Sequence, residues 1–198
     1  GMHTQYVPFS QNPLRHVGDL LAAIQSHQEH LDATTDHPLA GAERIDVGSV
    51  HGGDYFNRTP TRCTLMGTRR WCPGRNAQQV LEEIEALAKP FALAGNLHLT
   101  VEMEHEREPF ETPREDAAVC AVSHAHEMVT GDQADLVGLR IVGDANLYVH
   151  GCSVPTFYYG PSNETAHADT EWVDIKRLHD AAAVYALTAA DYCGLAAE

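Results

Sequence analysis

The sequence predicts an α/β chain in two regions, residues 3–110 and 111–198. Three observations carry that reading: long stretches with helical apolar spacing, short strand-like runs between them, and an acidic, proline-bearing break at 108–115. Residues 12–31 read as the first helix. Asn12 can cap it, Pro13 suits its first turn, and Leu14, Val17, Leu21, Ile24 and Leu31 fall on one stripe. Ile45 and Val47 alternate into a strand that ends at Gly52 and Gly53, and 61–70 reads as a second strand entered through Pro60. A second helix carries Val80, Ile84, Leu87 and Phe91 and stops at Gly95 and Asn96. Alternation over 97–104 predicts a further strand with one wet face.

Beyond the break, Val119, Val122, His126 and Val129 mark a helix, and 145–150 a helical turn. The runs 137–142 and 154–159 read as short buried strands. A long final helix is predicted from the stripe Trp172, Ile175, Leu178, Ala182, Tyr185 and Ala189, with Asp169 or Thr170 as its cap.

Composition narrows the function classes. A formal charge of −15, with no basic block longer than Arg69 and Arg70, repels phosphate backbones and argues against nucleic acid as a partner. No apolar run reaches the roughly 18 residues of a membrane span, and no basic-then-apolar leader opens the chain. Five scattered cysteines, never in a CxxC pair, suggest neither a disulfide framework nor a zinc knuckle, so a cytoplasmic protein is expected. Among the histidines, His27, His30 and His179 read as solvated helix residues, and His124 and His126 point in different directions. Glu82 and Glu83 read as a solvated helix face.

Three stretches carry a resemblance. Residues 50–70, VHGGDYFNRTPTRCTLMGTRR, hold a Gly-Gly turn, Asn57, Pro60 and then Arg70. Residues 154–173, VPTFYYGPSNETAHADTEWV, hold Tyr159, Gly160 and Pro161, a loop with His167, and an acidic residue before the last helix. At the N-terminus, His3 stands nine residues before Asn12. In these features the chain resembles the second half of a dinuclear zinc peptidase or amidohydrolase of the acetylornithine deacetylase, succinyl-diaminopimelate desuccinylase and glutamate carboxypeptidase family.

The resemblance implies an α+β lid, or dimerisation, domain at 3–110 with an antiparallel sheet, followed at 111–198 by the C-terminal portion of an α/β zinc-peptidase catalytic domain. It assigns Asn57 and Arg70 to the substrate's carboxylate, Gly160 to close approach of substrate, and His167 to zinc. His3 would stabilise the oxyanion in a partner subunit's site. The implied substrate is a small molecule with a free carboxylate, the cofactor two zinc ions, and the assembly a homodimer. A planar guanidinium fork suits a carboxylate, neutral imidazole suits zinc, and an imidazole N–H suits a developing oxyanion.

The family's upstream HxD pair, bridging Asp and catalytic Glu-Glu pair are not among these residues. The lid's usual first strand would also precede His3. The expectation is therefore a truncated, inactive version of an N-acyl amino acid or peptide hydrolase. The rival is a non-catalytic dimerisation or carboxylate-binding module.

Overall fold

A computed structural model describes residues 1–104, 107–162 and 164–194. Two compact units divide the chain: Gly1–Pro109 with Gly138–Arg140, and Phe110–Val137 with Ile141–Glu198.

In the first unit, two short 3₁₀ turns, Thr4–Tyr6 and Phe9–Gln11, lead into helix α1, Pro13–Thr34. Asn12 caps α1 by accepting from the Leu14 N–H at 3.0 Å. Strands β1 (Arg44–Gly52) and β2 (Cys63–Arg70) follow as an antiparallel pair, in register from Arg44 opposite Arg70 to Gly52 opposite Cys63. Helix α2, Ala77–Gly95, begins with a reciprocal capping box between Asn76 and Gln79. It ends at Asn96, in the left-handed conformation at φ 49°. Gly95 is needed for another reason: a Cβ there would stand 2.7 Å from the His16 ring of α1. Helices α1 and α2 pack together, and α1 also lies on the sheet. Leu31, Val80 and Ala88 are buried in this unit.

The second unit pairs helix α3, Ala117–Thr130, with helix α5, Ile175–Cys193. Asp116 caps α3, and a short helix α4 spans Ala145–Cys152. Val122, Ala125 and Val184 form the core, with Val129, Phe157 and Tyr159 packed against it.

Helix, strand, strand, helix in the first unit and the α-rich second unit give the mixed α/β architecture expected. Several elements differ. Among the described residues the sheet is β1 and β2 alone, so none of 97–104, 137–142 and 154–159 forms a strand. An apolar run gives a strand its faces, but a ladder also needs a partner edge. At 154–159 a side chain takes the partner's place. The Thr112 hydroxyl donates to the Thr156 carbonyl at 2.6 Å and accepts from the Thr156 N–H at 3.2 Å. The run 137–142 is divided between the units, with Val137, Ile141 and Val142 exposed.

The cap of α5 is Asp174, accepting from the Arg177 N–H at 3.1 Å, rather than Asp169 or Thr170. Its buried face carries Ala181 and Val184, whereas Trp172, Ile175, Leu178 and Tyr185 are exposed. On that face Val184 packs against Val122 and Ala125 of α3.

Candidate functional site

The backbone segments of two sequence-predicted site residues, His3 and Asn57, meet at the loop end of the hairpin. The N-terminal arm pairs with the β1–β2 loop: Thr4 N–H donates to the Asn57 carbonyl at 3.0 Å, and Thr59 N–H to the Met2 carbonyl at 2.8 Å. His3 and Arg58 form an isolated antiparallel bridge between those bonds. His3 is exposed, and its Nδ1 accepts from the Gln5 N–H at 3.3 Å. A neutral imidazole accepting at Nδ1 carries its proton on Nε2, so the outward nitrogen is a donor. Asn57 is half-buried, and its amide makes no hydrogen bond to a described residue. Both side chains therefore have donors to offer.

Arg70 lies elsewhere. It closes β2, seven residues beyond Cys63, and at roughly 3.3 Å per residue the two ends of that strand are about 23 Å apart. Within one chain, Asn57 and Arg70 belong to opposite ends of the hairpin. Arg70 is exposed, and its guanidinium donates to the Arg140 carbonyl.

Its neighbour Arg69 points to the other face and is almost fully buried. Arg69 meets Glu83 at 2.9 Å and Glu43 at 2.5 Å; Arg75 meets the same two at 2.5 and 3.2 Å, and the His27 ring Nε2–H donates to Glu83 at 2.8 Å. The reading of Glu83 and His27 as solvated is thus corrected, while Glu82 is exposed. Period-three spacing turns Glu83 toward the sheet, where Arg69 waits as a countercharge. Burial alone would raise the Glu83 pKa, but hydrogen bonds from Arg69, His27 and Arg75, with the Arg69 charge, lower it to about 2.

Gly160 and His167 lie in the loop before α5, in the second unit. A Cβ on Gly160 would meet nothing within 4 Å, so the position is open. His167 is exposed and takes a left-handed φ of 63°, uncommon outside glycine, with its N–H donating to the Glu171 carboxylate. The Thr165 hydroxyl closes the loop, bonding the Trp172 carbonyl at 2.9 Å and the Trp172 N–H at 3.1 Å. Behind it, Tyr159 Oη meets His126 Nδ1 at 2.8 Å, and the Tyr185 hydroxyl donates to the Tyr159 carbonyl.

Comparison with protein families matches residues 11–191 to peptidase family M20/M25/M40. The chain belongs to that family. Among curated relatives of this M20 chain, an acetylornithine deacetylase from Edwardsiella ictaluri is 25% identical over 84% of the chain and 41% of its own length. A succinyl-diaminopimelate desuccinylase from Nitrosospira multiformis is 23% identical over 94% of the chain and 47% of its own length. A crystal structure of an M20 family metallo-carboxypeptidase from Sulfolobus solfataricus superposes with a TM-score of 0.60 at 14% identity. It covers 98% of this chain and 47% of its own, and the likeness concerns the fold. The M20 chain spans less than half the length of these relatives.

Whether these residues suit a zinc pair is a matter of donors. Two ions sharing a site need several ligands. Among the described residues of the M20 chain, no three His, Cys, Asp or Glu side chains gather to hold a metal ion. His167 offers one imidazole, so these residues do not by themselves fit the pair. No helix of the described residues is long and apolar enough to cross a membrane.

Sequence reasoning did not find the buried Arg69, Arg75, Glu43 and Glu83 network, nor Arg44 and Arg140 beside Arg70. One signal was available: alternation along β2 must send Arg69 and Arg70 to opposite faces. Nothing local announced Arg140, which arrives from 70 residues away.

Proposed function

We propose that this chain supplies the lid and the closing part of the catalytic domain of a zinc-dependent amidohydrolase or peptidase. The substrate is an N-acyl amino acid or small peptide with a free carboxylate, and the bond cleaved is its amide. The observation that carries this reading is the pairing of the His3 arm with the Asn57 loop. It joins the backbone segment of His3 to the segment of Asn57 at the hairpin tip, with an arginine at the far end of the same hairpin.

Since His3 and Asn57 are held about a strand's length from Arg70, they and Arg70 serve different sites. In a homodimer, His3 and Asn57 of one copy enter the site whose Arg70 belongs to the other. His3 donates from Nε2 to the oxygen of the attacked carbonyl as charge develops there, and Arg70 holds the carboxylate. His167, on a loop strained into the left-handed region, provides a single zinc ligand; strained backbone of this kind concentrates at functional sites. Its partners in metal binding are not among the residues described.

The test uses the 198-residue chain alone and joined to an upstream half bearing HxD and Glu-Glu. Elemental analysis after dialysis should find little zinc on the chain alone, and a panel of N-acetyl amino acids should stay intact. The joined protein should hydrolyse them, and His3→Ala should lower its kcat by about a hundredfold or more. Tight zinc and His167-dependent activity in the chain alone would refute the division of ligands. A joined protein that binds carboxylates without hydrolysis would favour a binding module.

A further inference from the structure

Next to Arg70 in sequence, Arg69 turns inward, and its side chain is only 3% exposed. Its Nε donates to Glu83 Oε1 at 2.9 Å, and its Nη2 donates to Glu83 Oε2 at 3.2 Å and to Glu43 Oε2 at 2.5 Å. The remaining nitrogen serves a different purpose. Nη1 donates to the Arg70 carbonyl at 2.7 Å and to the Arg44 carbonyl at 3.5 Å. A guanidinium has five N–H donors, and here two carboxylates on one side and two strand-end carbonyls on the other take them all.

Those two carbonyls mark the last rung of the hairpin, since Arg44 opens β1, Arg70 closes β2 and the two are register partners. A strand end of this kind is where a backbone frays. The planar guanidinium is gripped as a fork by Glu83, so its Nη1 is aimed and cannot swing away from the Arg70 carbonyl. Arg70 is also held at its tip: its guanidinium donates to the Arg140 carbonyl, in a segment tied by the Gly138 N–H to the Leu39 carbonyl at 3.1 Å. Alternation along β2 leaves the Arg70 side chain on the exposed face while Arg69 holds its backbone from the buried one.

A buried ion pair is weak evidence for stability, because desolvation largely offsets the attraction. Among the described residues, Arg75 meets the same two carboxylates but bonds neither strand end. What Arg69 adds is a rigid donor on the backbone of Arg70. We infer that Arg69 is a positioning residue: through Nη1 it fixes the end of β2, so that the Arg70 guanidinium meets the substrate's carboxylate already ordered. A contact ordered in advance does not have to be ordered on binding. This rests on the reading of Arg70 as the carboxylate residue.

The experiment titrates the purified 198-residue chain with N-acetylglycine, followed by NMR. The Trp71 amide nitrogen reports the clamp, because it shares a peptide unit with the Arg70 carbonyl. Arg69→Lys keeps the buried charge but cannot present a fork and a strand-end donor together. It should shift the Trp71 signal and weaken N-acetylglycine binding by about tenfold, the worth of one charge-assisted contact. Arg75→Lys disturbs the same carboxylates and should move neither readout. If Arg69→Lys does not fold, Glu83→Gln takes its place: a single amide oxygen cannot hold Nε and Nη2 together, so both readouts should move the same way. Equal weakening by the Arg69 and Arg75 variants would make the clamp merely structural and overturn the inference. Unchanged affinity in the clamp variants, while Arg70→Gln loses binding, would overturn it as well. Binding that is insensitive to Arg70→Gln would instead overturn the reading of Arg70 itself, so the two failures are distinguishable.

Discussion

Glu83 shows how much one residue's environment can depart from its sequence context. On α2 it follows exposed Glu82, but it lies between Arg69 and Arg75 with His27 above it, and Glu43 completes a charge-balanced cluster. Its folded pKa of about 2 lies below the ordinary 4.5, so its stabilisation is fully present above pH 4.5 and is lost as pH falls towards 2. The gap corresponds to roughly 3 kcal/mol. Glu83→Gln should therefore lower stability by about that much at pH 7, with the variant and the parent converging as pH drops below 4.5. Urea unfolding at a series of pH values measures both curves. A constant difference down to pH 3 would mean that packing, not charge, makes Glu83 matter. Neither the cluster nor its sign was legible in the sequence, since Glu43 and Glu83 are forty residues apart and meet through Arg69 and Arg75.

Among the elements, those with local determinants were legible and those with distant ones were not. Asn12 with Pro13 started α1 as expected, and Asn96 stopped α2, because caps depend on neighbours within a turn. The buried face of α5 was misread, since large apolar residues drew the stripe while the buried residues are Ala181 and Val184, the latter packed against α3. The same interface holds Tyr159, whose phenol burial pushes above its usual pKa and which therefore stays neutral near pH 7. Its hydroxyl joins His126, and Tyr185 ties down its carbonyl just ahead of Gly160. Tyr159→Phe should cost about 1 kcal/mol, the usual net worth of one hydrogen bond, as read by chemical denaturation. An unchanged midpoint would show that His126 finds water instead.

At the scale of the molecule, the sheet formed by the described residues has two strands, so each is an edge of the kind that invites a second chain. The proposed exchange of His3 and Asn57 between copies requires such an assembly. Sedimentation at micromolar concentration should give a dimer, and His3→Ala should leave it intact, because the arm is held by backbone bonds from Thr4 and Thr59. A monomer at all concentrations would remove the partner's contribution and leave His3 without a site.

The sequence by itself determined the M20 resemblance, the start of α1 and the stop of α2, and it named His3, Asn57, Arg70 and His167 as candidates. Each depends on residue type and short spacing, which a linear chain states directly. Tertiary structure alone decided that His3 joins Asn57 while Arg70 stands a strand's length away, and that Glu83 is buried where Glu82 is not. It also decided that three predicted strands find no ladder partner. Pairing partners and burial are properties of two surfaces meeting, and the energy that selects them exists only once both are folded.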